Sequence, residues 1–233
     1  MKISNRIIIN TGTIKIICVI LLAYASTRNL IANESIKDIN NPAEWSKFDT
    51  AIKDPNNPSE MLQTKWNSIA AVLQNKEIDP ELKKKIINKI VSPIFDFDLM
   101  AKLVLGRTNW PKLNTEEQKK FTELFAEKLK EFYLDKTSFY NNQKVEFKPE
   151  TKNKSSIYIP MILNTSDKEI EILYKLRKTN EKDAAGTSGY WKIYDMEIEG
   201  VSVLLTYQSQ FEDILSRGSV KDLFDLLENT PAQ

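Results

Sequence analysis

The 233-residue chain carries 33 basic and 32 acidic residues for a formal charge of +1, and it contains no histidine and one cysteine, Cys18. Without an imidazole, and with its one thiol in an N-terminal apolar segment, it excludes Ser-His-Asp and Cys-His catalysis, histidine or cysteine metal sites and a disulfide framework. The near-neutral balance also lacks the basic field of a nucleic-acid binder, so no nucleic-acid partner is expected.

Lys2 and Arg6 precede a ten-residue apolar run, 16–25 (IICVILLAYA), and Ala23-Tyr24-Ala25 fits the small-x-small pattern of signal cleavage. A membrane-spanning helix needs about twenty apolar residues, twice what this run supplies. Residues 1–25 are therefore expected to be a signal peptide, cut after Ala25 or as late as Ala32. Cys18 follows Ile17 rather than a small residue, against a lipidation site. Losing Lys2, Arg6 and Lys15 and no acid takes the charge from +1 to −2, or to −3 if Arg28 is also removed. The remainder, 33–230, is long enough for one substantial core and shows no repeat or low-complexity tract, so a single domain is expected.

Trp45, Phe48 and Ile52 at helical spacing predict a helix within 42–53, stopped by Asp54-Pro55-Asn56-Asn57-Pro58. Ser59 is expected to cap a second helix with Leu62, Trp66, Ile69 and Leu73 on one face. Asp79-Pro80 opens a third, with Leu82, Ile86, Ile87 and Ile90 inward and Lys83-Lys84-Lys85 on the solvated side. Residues 94–106 read as a short apolar helix ending at Gly106, followed by a loop at Trp110-Pro111. Thr115 and Gln118 form an expected capping box for the longest helix, 115–138, with Phe121, Leu124, Phe125, Leu129, Phe132 and Tyr133 on its apolar face.

The period then changes from 3.6 to 2. Val145 and Phe147 alternate in a first strand, and Ile157, Ile159 and Met161 in a second, which turns at 164–167. Ile170, Ile172, Tyr174 and Leu176 share one face of a third strand, with Glu169, Glu171, Lys175 and Arg177 on the other. After a loop over 180–189, Trp191, Ile193, Met196 and Ile198 line a fourth strand whose phase shifts at Asp195, the mark of a bulge. Two closing helices are expected, one over 201–217 and one capped by Ser219 with Val220, Leu223, Phe224 and Leu227 buried. The plan is α+β: a curved antiparallel sheet of about four strands packed against several helices around an apolar interior.

Two stretches carry a resemblance. The first runs from Phe95 to Tyr133, with FDFDLMAKLVLGR, Trp110 and EEQKKFTELFAEKLKEFY. The second runs from Trp191 to Leu227, with WKIYDMEIEGVSVLLTYQSQFEDIL and DLFDLL. Trp191, Tyr194, Asp195, Glu199, Gly200, Val201 and Ser202 form its most specific block, supported by Val104-Leu105-Gly106. Over about residues 40–230 the chain resembles the MlaC (toluene-tolerance) family, the periplasmic lipid-binding component of the Mla phospholipid transport pathway. The resemblance implies a deep apolar pocket for the acyl tails of a diacyl phospholipid, bound as cargo with no cofactor, metal or catalytic group. It also implies two partners, an outer-membrane lipoprotein–porin complex and an inner-membrane ABC transporter complex with an MCE-domain ring. Many relatives have a basic residue where this chain has Tyr207 or Gln208, a departure that touches partner contacts more than the pocket.

Two acyl tails hold roughly thirty methylenes at about 0.8 kcal/mol each, so leaving a bilayer would cost on the order of 20 kcal/mol unless that surface is covered again. A carrier therefore needs an enclosed apolar lining. The candidates are Val104, Leu105, Phe121, Phe125, Leu129, Ile157, Ile159, Ile172, Tyr174, Ile193, Met196, Ile198, Val203 and Leu204, each of which could equally be ordinary core. Two other readings stay open. One is an interaction module with a filled core. The other is a hydrolase using Asp96 with Asp98, or Asp195 with Glu197 and Glu199, although Asp195 accepting a hydrogen bond from the turn at 200–202 accounts better for that residue.

Overall fold

A computed structural model describes residues 41, 44–49, 51–52, 54, 56–135, 143–179 and 189–229. The expected signal peptide and most of the loop over 180–189 lie outside the described residues. Among the described residues there are six α-helices: α1 (Pro58–Gln74), α2 (Pro80–Val91), α3 (Phe97–Asn109), α4 (Thr115–Asp135), α5 (Val203–Arg217) and α6 (Val220–Asn229). Six strands form one antiparallel sheet: β1 (Lys144–Phe147), β2 (Thr151–Asn153), β3 (Ser156–Asn164), β4 (Glu169–Lys178), β5 (Trp191–Ile198) and β6 (Val201–Ser202). The α+β plan holds. The two strands beyond the expected four are β2, whose residues are all exposed and show no apolar alternation, and β6, which is only two residues long.

The sheet order is β1-β3-β4-β5-β6, with β2 pairing β3 beside β1. β1 lies against 161–164 of β3 and β2 against 156–158. Pro160 falls in the gap between them, where its carbonyl accepts the Lys148 N–H at 2.9 Å and its missing donor leaves no ladder bond unmade. Along β3 and β4 every second residue is buried, so the sheet has one helix-covered face and one wetter face. Between β4 and β5 the register slips: Lys175 pairs Asp195 while Leu176 pairs Ile193, which leaves Tyr194 as the extra residue of the expected bulge. The slip keeps both Ile193 and Met196 on the inner face despite their odd spacing.

Several helix starts differ from expectation in who caps them. α1 is capped by Asn57, whose side chain accepts the Glu60 N–H with Pro58 in the first turn; Ser59 is freed to donate to Glu150 at 2.7 Å. α4 starts one residue earlier than the Thr115–Gln118 box. Asn114 accepts the Glu117 N–H at 3.0 Å and Glu117 accepts the Asn114 N–H at 2.8 Å, the same reciprocal device shifted by one. Gln118 instead donates to the carbonyls of Trp110 and Leu113. Asp79 caps α2 and Ser219 with Asp222 caps α6 as expected, although Val220 is only half-buried.

Among the described residues of the segment expected as a helix over 42–53 there is one 3₁₀ turn, Glu44–Lys47, with Trp45, Phe48 and Ile52 partly buried against the core. Within α3, Gly106 takes φ 70° and ψ 177°, a region open to glycine alone, and breaks the helix there before a last turn.

Candidate functional site

The inner face of the sheet is a continuous apolar surface. Cross-strand pairing lays it out in rows: Ile157–Leu176–Ile193, then Ile159–Tyr174–Met196, then Met161–Ile172–Ile198. All are buried except Met196, which is half-buried. Seven of the fourteen expected lining residues (Ile157, Ile159, Ile172, Tyr174, Ile193, Met196 and Ile198) thus share one surface. Leu176 and Met161 belong to it equally.

The helical candidates divide. Phe121 and Phe125 stack on one another at 5.9 Å between ring centroids and meet Phe211 edge-on at 5.8 and 6.0 Å. Tyr207 adds an edge contact to Phe125 at 5.4 Å and Phe224 one to Phe121 at 6.5 Å. These rings bind α4, α5 and α6 to each other, which gives Phe121 and Phe125 a helix–helix role. Leu105 and Phe121 also line a cavity of about 220 Å³ beside Leu223 and Phe224. Val104, Leu129, Val203 and Leu204 are buried within the core.

What covers the sheet on its other flank is α1, and the expected lining omitted it. Leu62, Trp66 and Ile69 of α1 face Tyr174 and Ile193 across an opening of only about 20 Å³, with Phe95 beside them. Trp66 Nε1 donates to Tyr174 Oη at 3.1 Å within this buried layer. Burial pushes the Tyr174 hydroxyl well above the ordinary phenol range, against the lowering effect of the Trp66 bond. The Leu62/Trp66/Ile69 stripe was legible as a helix face; that it lies over Tyr174 was not, because 108 residues separate the pair.

Of the carboxylates weighed for hydrolysis, Asp98 is exposed on α3, and Asp96, Asp195, Glu197 and Glu199 are engaged elsewhere. Asp195, buried on the other side of the sheet, accepts the Ser202 hydroxyl at 3.0 and 2.9 Å and the Leu204 N–H at 3.2 Å, and pairs with Lys175 at 3.0 Å. Ser202 in turn caps α5 by accepting the Leu205 N–H, so Asp195 fixes the start of that helix and adds a negative charge at its positive end. Glu197 pairs with Lys175, and Glu199 with Lys168 at 2.9 Å, so the two are held by different cations. Burial works against the Lys175 ammonium, yet Glu197 and Asp195 outweigh it and raise its pKa. Asp96 caps α3 through the Leu99 N–H and pairs with Arg177 at 3.0 Å. Among the described residues no cluster of acidic or thiol groups could hold a metal ion, and no helix is long and apolar enough to cross a membrane.

The inner face of the sheet is thus apolar and roofed by helices, with the ion pairs of Asp195, Glu197 and Glu199 kept off it. The family model for the MlaC protein matches residues 63–229. The chain belongs to the MlaC family. It is 26% identical over 159 residues to the intermembrane phospholipid transport system binding protein MlaC of Haemophilus influenzae, covering 66% of this chain and 71% of that one. It is also 24% identical over 134 residues to the toluene tolerance protein ttg2D of Pseudomonas putida, covering 56% and 58% respectively. A solved phospholipid-binding protein from Ralstonia solanacearum, in complex with a phospholipid, has the same fold with a TM-score of 0.60 at 22% identity, over 72% of this chain and 93% of that one.

Proposed function

We propose that this MlaC-family chain is an exported carrier that holds a diacyl phospholipid by its tails in the periplasm and performs no covalent chemistry. The observation that carries the reading is the three-row inner face from Ile157 to Ile198, which holds no charged residue and is roofed by Leu62, Trp66 and Ile69 of α1. Family membership adds weight, since relatives are named for phospholipid transport. The opening between α1 and the sheet is about 20 Å³, whereas ligand pockets run to roughly 300–1,000 Å³. Tails therefore enter by parting α1 from the sheet. The polar attachments that must yield include Trp66 to Tyr174, Trp191 Nε1 to the Asn56 carbonyl at 2.9 Å, Lys178 to the Asn56 side chain at 3.3 Å, and Ser59 to Glu150.

On this reading the protein shuttles between an outer-membrane lipoprotein–porin complex and an inner-membrane ABC transporter with an MCE-domain ring, and residues 1–25 direct its export. Native mass spectrometry of protein prepared from cells without detergent tests it. One phospholipid per chain is expected on a processed form beginning near Ser26 or Asn33. Bare protein, with no phospholipid in an organic extract, would favour the filled-core interaction module instead.

A further inference from the structure

The inner face of the sheet changes character at one end. Beyond the row Ile157–Leu176–Ile193, Lys178 stands opposite Trp191 at the close of β4, and Lys152 stands opposite Ile157 on β2. Cross-strand partners share a face, so both lysines project from the helix-covered side of the sheet rather than from its wetter side. Lys154 follows in the turn between β2 and β3. With Trp191 these three lysines line an open groove of about 960 Å³, bounded on the far side by the start of α1.

On the other face of the sheet Lys175 is paired with Asp195 and Glu197, and Arg177 with Asp96. Among the described residues none of the three groove lysines has a carboxylate partner. Two acids line the groove, Asp54 and Glu150, and Glu150 accepts a hydrogen bond from Ser59. Lys178 reaches the Asn56 side-chain oxygen at 3.3 Å and lies 5.5 Å from the Trp191 ring centroid. From Trp191 the strand leads directly to Ile193, which lines the narrow opening under Trp66. An apolar layer thus runs into a cationic groove at one end, which is the polarity of an amphipathic ligand.

We propose that this groove holds the phosphate of the carried phospholipid against Lys152, Lys154 and Lys178, with the tails running inward past Ile157 and Trp191. The proposal rests on the carrier reading and adds the position and charge preference of the head group. Solvated ammonium groups contribute little each, so they orient and select the lipid while the tails supply affinity.

The test uses delipidated protein equilibrated with vesicles containing dioleoyl phosphatidylglycerol and dioleoylglycerol in equal amounts. The two share their tails and differ in the phosphate and its head group. The wild type is expected to extract the phospholipid preferentially. K152Q/K154Q/K178Q, which keeps the side-chain stems, is expected to lower that preference about tenfold with diacylglycerol uptake and melting temperature unchanged. An unchanged ratio, or equal loss of both lipids, overturns the proposal. If the wild type extracts neither lipid, the carrier reading itself falls. Inorganic phosphate is the separate arm: if it perturbs the groove amides while the lipid ratio is the same in both proteins, the groove binds free anions and the head-group assignment is overturned.

Discussion

Trp66 Nε1 and Tyr174 Oη are hydrogen-bonded at 3.1 Å between α1 and the inner face of the sheet, a polar bond inside an apolar layer. It ties the roof to the floor of the proposed acyl site. Tyr174→Phe would leave the Trp66 N–H buried without an acceptor, at a cost of about 1–3 kcal/mol. Urea denaturation should show that loss, and the double change Trp66→Phe/Tyr174→Phe should cost less than the sum of the two single changes. Strict additivity would mean the bond is not formed in solution.

Ile172 is fully buried at the centre of the sheet face. In a site that parts for hydrocarbon, Ile172→Trp takes the place of tail atoms. Bound phospholipid is expected to fall by more than half while the melting temperature drops only a few degrees, in line with about 1–3 kcal/mol of overpacking. Lipid content and melting should be measured on the same samples. Full lipid occupancy with a sharply lowered melting temperature would remove this position from the acyl site.

Asp195 holds Ser202, Leu204 and Lys175 together. Asp195→Ala removes a buried partner and should destabilise the fold by about 3 kcal/mol, read by chemical denaturation. The folded fraction should still carry one lipid. Loss of lipid without loss of stability would place Asp195 in the binding site instead of at the helix start.

Burial pushes the Tyr133 hydroxyl up to about 12, with Ser92 lowering it and Glu127 raising it, and carries Tyr174 higher still. Groups whose folded pKa lies above the unfolded value contribute stability that is complete below the unfolded value and lost as pH rises through the folded one. Lys175 is raised as well and acts with the same sign. The melting temperature should therefore be level through neutral pH and decline above about pH 10. Tyr133→Phe should flatten that decline; an identical slope in the variant would show that Tyr133 ionises freely.

Gly106 at φ 70° and ψ 177° has the Gln208 amide nitrogen 3.5 Å from where a Cβ would stand, so space is adequate and backbone strain is the obstacle. Gly106→Ala should cost about 1–3 kcal/mol. A neutral result would mean that the break in α3 relaxes without it.

The strand alternation of Ile157 to Met161 and Ile170 to Leu176, the bulge beside Asp195, and the caps at Asp79 and Ser219 were all legible in the chain. Each is a local matter, set by the two-residue period of a strand or the unpaired N–H groups of a helix's first turn. The placement of the acidic residues in structural pairs was legible only for Asp195, because its partners Ser202 and Leu204 are seven and nine residues away. Asn114 in place of Thr115 was decided by which side chain could exchange bonds with Glu117, a one-residue difference that composition does not resolve. Tertiary structure alone decided the rest. Phe121 and Phe125 turned to Phe211 while Trp66 took the place over Tyr174, because an apolar stripe specifies that it will be covered and not by what. Lys152 likewise reaches the inner face only through pairing with Ile157, since β2 shows no alternation of its own and the side of a sheet such a residue occupies depends on a register that its neighbours fix.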